Sequence, residues 1–352
     1  MHSRARRMGA AVIALASVGA APGCSSGGGS GKPPVPSTSV VAPVPDPAVI
    51  SEAEARAVLE RYDTENNTAN ATLDGDRLAG VEGGELLEGS PAGYRADRAR
   101  PDREPYKPFT HLDPQFWIPR ASGHPRTFVA IAATGADSED KAVVHFVQDT
   151  PGAPWKAVFT AHARVGDPPA TASASPERLA RPTLDDVARD ASGSARTTTA
   201  GDAAAVCGRY AAAMSVPAGP GAVEARLAPG SHTTDLRKRI EDDAHRDERM
   251  SQTTTVTARP VARQTFQTAT GDRLVPCVLD KTIEAKALIP QAHLTATAPT
   301  TIAFLGRSGP FTTVKETFLA SVLIRVPTAP DTPATVLTGG LAQSHPLDAT
   351  GT

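Results

Sequence analysis

Hydrophobic and polar positions divide the chain into three regimes. Arg4, Arg6 and Arg7 precede an apolar stretch from Met8 to about Ala21, and Pro22-Gly23-Cys24 follows. That order of basic region, apolar region and small-residue site is the pattern of an export leader. The stretch is shorter than the ~20 residues a membrane-crossing helix needs, so a cleaved signal is expected rather than a span. From Ser25 to about Pro47 the chain is Gly, Ser and Pro rich with almost no charge, which predicts a flexible spacer. From Ile50 the pattern turns periodic. Ser51-x-x-Glu54 is a capping box with Ile50 placed to staple against Ala55. Ala55, Val58, Leu59, Tyr62, Ala69 and Leu73 share one face of a helix of about five turns.

Beyond a charged segment, Arg95 to Glu104, read as an exposed loop, strand patterns take over. Phe116-Trp117-Ile118, Thr127 to Ala132, Ala142 to Gln148 and Trp155 to His162 are aromatic or β-branched runs too closely spaced for crossover helices, so an antiparallel sheet is predicted. Polar small-residue segments, Gly166 to Ser175 and Ala191 to Gly201, flank a short predicted helix around Leu184 to Arg189. The plan then recurs. Helices are expected from about Ala203 to Met214 and from Thr234 to Met250. Strands are expected at Gln252 to Thr268, Leu274 to Lys286, His293 to Leu305, Thr312 to Ile324 and Thr335 to Ala342. Pro260, Pro276, Pro290 and Pro299 must sit at edges, bulges or strand ends.

The expected fold class is α+β, with two tandem domains, each a helix plus a curved antiparallel sheet. Residues 1–23 form the leader, 24–48 the first mature cysteine and linker, and 49–165 the first domain. An inter-domain linker at 166–200, a second domain at 201–345 and a tail at 346–352 complete the plan. A helix followed by a curved antiparallel sheet, occurring twice, resembles the cystatin or nuclear-transport-factor-2 type of cone.

The sequence Ala21-Pro22-Gly23-Cys24 resembles the bacterial lipobox, in which the cysteine receives a diacylglyceryl group before cleavage. The resemblance implies a lipid anchor on Cys24, and thus an exported protein held at the outer face of the cell membrane. Removing the leader takes away three of 36 Lys and Arg and none of 38 Asp and Glu, moving the net charge from -2 to about -5. That balance, with both signs scattered, argues against nucleic acid as a partner. With Cys24 lipidated, Cys207 and Cys277 are the remaining thiols in an oxidising compartment. Such a pair points to a disulfide, two buried free thiols being the alternative.

A further series carries a closer resemblance: Asn66-Asn67 with Ala69-Asn70, Val81-Glu82-Gly83-Gly84, Tyr94-Arg95, Tyr106-Lys107-Pro108-Phe109, Phe116 to Arg120 and Pro125 to Phe128. Over roughly residues 50–165 it is similar to uncharacterised lipoproteins of high-GC Gram-positive bacteria, a domain of unknown function. The resemblance supports the lipoprotein address and implies no catalytic residue.

Chemistry is sparse. Nine histidines are present, yet none lies three to five residues from another, and neither Cys-x-x-Cys nor His-Glu-x-x-His occurs, so no metal site and no cofactor is expected. His145 and His162 fall on neighbouring predicted strands, either approaching each other or satisfied separately within the sheet. Gly306-Arg307-Ser308-Gly309 reads as a hairpin turn rather than a nucleophile elbow. Asp235 to Arg249 reads as a solvated helix laced by four-residue ion pairs. Asn66-Asn67-Thr68 and Asn70-Ala71-Thr72 match glycosylation sequons, but their place inside a helix discounts them. Glu82, Tyr94, Arg95, Tyr106, Arg120 and Arg126 form the candidate ligand-binding group. The two last arginines either line a groove for an anionic or sugar-like ligand or act as internal clamps, pairing with Glu82 or capping helices.

Three function classes follow: a non-enzymatic envelope module that binds a protein, polymer or small ligand; an extracytoplasmic hydrolase with a site assembled from dispersed residues; and a structural spacer. The doubly wound pattern of a solute-binding protein is not present. The address is directly testable. Replacing Cys24→Ala should release the protein from membranes or leave an unprocessed precursor, read by fractionation and lipid labelling; unchanged labelling would exclude the anchor.

Overall fold

A computed structural model describes residues 46–352, apart from 101, 136–137, 139, 166–181, 200, 202–204, 220–225 and 261–262. The leader, Cys24, most of the spacer and much of the 166–200 segment lie outside the described residues. From residue 46 onward the chain is one compact unit.

Helix α1 (Glu52–Thr72) starts as its sequence dictates: the Ser51 side chain accepts from the Glu54 N–H while Glu54 reaches back to the Ser51 N–H. Two more helices follow, α2 (Gly75–Leu78) and α3 (Gly84–Arg98). The first sheet is β1 (Leu112–Trp117), β2 (Arg126–Ala133), β3 (Asp140–Gln148), β4 (Lys156–Val165) and β5 (Thr183–Leu184), in that spatial order. Pairing is antiparallel through β4, with β5 added in parallel.

The second half begins with β6 (Thr197–Thr198), α4 (Ala205–Met214), α5 (Thr234–Ala244), β7 (Met250–Ala258), β8 (Thr265–Gln267) and β9 (Arg273–Ala287). It ends with α6 (Pro299–Leu305), β10 (Thr313–Val326), β11 (Thr335–Val336) and β12 (His345–Gly351). Its sheet runs β11-β10-β9-β8-β6, with β12 on β10 and β7 on β9.

Alternation along the strands sets the layers. In β2, Phe128 and Ala130 pack with Ala55, Leu59 and Tyr62 of α1, whereas Val129 and Ile131 share a second core with Phe266, Leu274 and Leu323. In β9, Val275, Cys277 and Leu279 pack with Val206, Tyr210 and Met214 of α4, while Leu274 points the other way into the shared core. Helix α1 packs on one face of the first sheet and α4 on one face of the second, and the two remaining faces meet each other. Trp117 and Phe266 mark that seam, with ring centroids 5.5 Å apart. Each large side chain buried there contributes about 1.5–3 kcal/mol.

Several sequence expectations change. The predicted strand His293 to Leu305 is instead a bridge at Leu294 followed by α6, which starts on Pro299 at its first turn and ends on Gly306, whose φ of 72° suits a left-handed cap. The Gly306 to Gly309 turn therefore follows a helix and is not a hairpin between strands. The predicted helix at Leu184 to Arg189 is replaced by β5 and bridges at Val187 and Arg189, because this stretch completes sheet edges. Arg95 to Arg98 close α3 instead of opening a loop. The tail is not free: β12 pairs with β10 from Val314 to Leu319. Only Thr335–Val336 of the predicted strand at 335–342 forms one. The end of the spacer is docked, with the Pro47 carbonyl accepting from the Ala121 N–H at 3.1 Å. In the ionic helix, Arg237–Glu241 and Lys238–Asp242 pair as expected, whereas Asp243 pairs with Arg246.

Pro276 lies mid-strand in β9, facing β10 at Leu323. On the other side β8 ends its pairing at Leu274 and β7 begins at Leu279, so the missing N–H falls in a gap between neighbours. Nearby, Cys207 of α4 and Cys277 of β9 form a disulfide with Cα atoms 5.5 Å apart. It closes a sequence separation of 70 residues, for which chain entropy allows about 4 kcal/mol. A Cys207→Ala, Cys277→Ala double variant should lower the urea midpoint by an amount approaching that figure; an unchanged midpoint would show that the bridge adds no stability.

Candidate functional site

A cleft of about 450 Å³ opens where α1 and α3 meet β3, β4, β10 and β12. Its residues come from both halves of the chain, from Tyr62 to His345. Among the described residues, β4 meets β5 only at Arg164 and Val165, and Thr160 and His162 of β4 line the cleft.

The deepest polar group is Glu82, 1% exposed. The segment carrying it is stitched to the start of β4: Ala157 N–H donates to the Val81 carbonyl at 2.8 Å and Gly83 N–H to the Ala157 carbonyl at 2.9 Å. Glu82 Oε1 accepts from Asn66 Nδ2 at 3.0 Å and from the Tyr62 hydroxyl at 3.4 Å. Its other oxygen, Oε2, is buried with no hydrogen bond of normal geometry, and Ser90 is the polar side chain beside it. Burial pushes the carboxyl up to about 7, against the opposing pull of Ser90, Tyr62 and Asn66.

A hydrogen-bond chain leads outward from Glu82. Asn66 Oδ1 accepts from Asn70 Nδ2 at 2.8 Å, and Asn70 Oδ1 accepts from the Tyr94 hydroxyl at 2.7 Å. Each donor is polarised by the next acceptor, so the chain holds the glutamate and ring together more firmly than its bonds taken singly. Tyr62, Asn66 and Asn70 recur at four-residue spacing, which places them on one stripe of α1. Tyr106 stands edge-on to Tyr94, with centroids 6.1 Å apart, and its hydroxyl donates to Asp97 at 2.7 Å.

The opposite wall is clipped to α1 by two side chains. Asn67 donates to the Phe109 carbonyl at 2.7 Å and accepts from the Phe109 N–H at 3.0 Å. Asp63 accepts from the His111 backbone N–H at 2.9 Å and meets His111 Nδ1 at 2.5 Å. His162 and His345 stand at the solvent-facing margin. Desolvation by the surrounding protein lowers both below the ordinary histidine value; at His162 Asp140 opposes it and His111 adds to it, and at His345 His162 adds to it. Glu85 faces inward from α3 but is paired with Arg263, which also donates to the Val158 carbonyl at 3.2 Å.

The sequence candidates separate on this geometry. Glu82, Tyr94 and Tyr106 line the cleft. Arg95 instead donates to the Leu347 carbonyl at 3.0 Å. Arg120 is a clamp: it pairs with Asp190 at 3.3 Å, donates to Ser192 Oγ at 3.0 Å and also holds the Asp46 carbonyl. Arg126 lies beside Trp155 and Gln148 in a separate shallow groove, its Nε without a partner. Neither arginine pairs with Glu82. The two histidines do not converge either. Adjacent strands share alternation: Ala142 opposite His162 faces the helices, whereas His145 opposite Phe159 faces the seam. His145 is buried without a hydrogen bond, edge-on to Phe159 at 4.9 Å, and burial lowers it to about 3. Asp63, His111, Ser321 and His345 were not legible as site residues. The repeat of Tyr62, Asn66 and Asn70 on a buried helix face was the one signal available.

Among the described residues no group of three or more His, Cys, Asp or Glu is arranged to hold a metal ion. No described helix is long and apolar enough to cross a membrane. The molecule is an α+β protein with an acidic and aromatic cleft at the junction of two packed sheets. It belongs to the family described as Domain of unknown function (DUF8094), whose profile matches residues 46–343. Part of the chain is similar to the uncharacterized lipoprotein SCO6871 of Streptomyces coelicolor, at 42% identity over 102 residues. That match spans 28% of this chain and 28% of the relative. No solved structure matches.

The displaced titration of Glu82 has a signed consequence. Its carboxyl is raised from 4.5 to about 7 on folding, so its contribution to stability is fully present below 4.5 and is lost as pH rises through 7. Glu82→Gln removes this dependence. The variant should gain up to about 3 kcal/mol on the wild type across the window, measured by urea unfolding on either side of it. A constant difference would show that Glu82 titrates normally.

Proposed function

We propose that this chain is a lipoprotein anchored through Cys24 at the outer face of the cell membrane, and that its folded part is a non-enzymatic module binding a small ligand in the cleft. The leader pattern, the glycine- and proline-rich spacer and the similarity to a Streptomyces lipoprotein support the address. One observation carries the binding role: a carboxylate 1% exposed lines a cleft of about 450 Å³, and among the described residues no cationic side chain is paired with it. A buried carboxylate without a counter-ion is costly, a cost that a ligand bound beside it would offset. The volume falls within the usual range for small-molecule sites, roughly 300–1,000 Å³.

A second reading, an extracytoplasmic hydrolase, draws on Asp63 orienting His111 and on a glutamate poised at about 7. It requires turnover of ester, glycoside or phosphate substrates that is lost in both Glu82→Gln and His111→Ala.

Gly93 lines the cleft and has open space where a Cβ would stand, so Gly93→Trp introduces a large side chain at the site with no clash at its Cβ. A fragment library screened by ligand-observed NMR against the full-length protein should yield binders that Gly93→Trp abolishes while its melting temperature is retained. An empty screen, or binders indifferent to the substitution, would overturn the binding role.

A further inference from the structure

The charge inventory of the cleft narrows its ligand. Among the described residues no Lys or Arg lines the cleft, and the lining includes two carboxylates, Glu82 and Glu85. Arg263 already neutralises Glu85. His111 Nδ1 is already engaged by the Asp63 carboxylate at 2.5 Å. Desolvation disfavours the charged forms of His162 and His345. Among the described residues Glu82 thus has no cationic partner, while Tyr62, Tyr94, Tyr106 and Phe109 line the same space. Aromatic faces attract cations, and a buried carboxylate without a counter-ion is costly.

We propose that the cleft binds a small organic cation, an amine or quaternary ammonium, with the Glu82 carboxylate as counter-ion and the tyrosine rings as walls. This rests on the cleft being a ligand site. An anionic ligand is disfavoured, since the arginines that would attract it lie elsewhere, Arg120 committed to Asp190 and Arg126 in a separate groove.

Cation binding favours ionised Glu82 and so expels its proton. The groups facing it are Tyr62, Asp63 and Asn66 from α1, Glu85 and Ser90 from α3, Tyr94, His111, His162 of β4 and His345 of β12. Of these, Glu82 is the group displaced to about 7, so affinity should fall about tenfold per pH unit below it.

Calorimetric titration of the full-length protein with choline, benzyltrimethylammonium and agmatine, beside 3,3-dimethylbutanol as the neutral isostere of choline, tests the assignment. At least one cation should bind, and choline should bind about tenfold or more tightly than the alcohol. Glu82→Gln should weaken cation binding about tenfold while leaving the alcohol unchanged. Tyr106→Ala, at a ring 42% exposed, should also weaken the cations while its melting temperature is retained. Equal binding of choline and its isostere, or no cation binding while neutral fragments are captured in a Gly93-sensitive way, would overturn the cation and leave the ligand cleft standing. No binding of any probe or fragment would remove both.

Discussion

The face-to-face packing of the two sheets is the constraint on which the rest of the structure depends. Each sheet turns one face to helices, and the other face is apolar: Val129, Ile131 and Val143 on the first, Leu274 and Leu323 on the second. Neither inner face can be left in water. The two helix-covered sheets are therefore joined through a common core. Trp117 and Phe266 bridge it, and His145 is trapped beside them without a hydrogen bond, a neutral imidazole used as an apolar plate. Ionic ties run along the same junction: Arg259 joins Glu88 of α3 at 3.0 Å to Asp280 of β9 at 2.9 Å, and Arg263 joins Glu85.

The cleft follows from how the sheets meet. β4 sends Phe159, Ala161 and Ala163 to the seam and Thr160 and His162 to the cleft, so one strand serves both. β10 and β12 then close the space from the second half, bringing Leu319, Ser321 and His345 opposite residues of α1 and α3. A polar stripe on α1 would be a poor choice for a helix buried on that side. Here it is affordable because Tyr94, Asn70, Asn66 and Glu82 satisfy one another in sequence. Among the described residues no cation completes that series at Glu82.

Helix α3 shows where pattern reading fails. Its sequence contains Gly89, Pro91 and Gly93, all poor helix formers, and no regular apolar repeat spans it. It exists because Leu86, Ala92, Tyr94 and Ala96 are buried against the rest of the fold. Tertiary packing outweighs local preference there, as it does at β12, whose residues carry little strand signal and pair because β10 offers an edge.

By itself the sequence determined those features whose physics is local or one-dimensional: the Ser51 and Glu54 cap, the face of α1, the alternating strands β2 to β4, the α+β class and the placement of Pro260, Pro290 and Pro299 off strand interiors. It also singled out Cys207 and Cys277 as a pair, by counting thiols. It brought Glu82, Tyr94 and Tyr106 into one candidate group but joined them to Arg95, Arg120 and Arg126, because nothing local tells a clamp from a cleft wall. Only the tertiary structure decided that. Burial of a carboxylate, the pairing of Arg120 with Asp190 and the arrival of His345 beside α3 all depend on contacts between residues far apart in sequence, and no period along the chain encodes them.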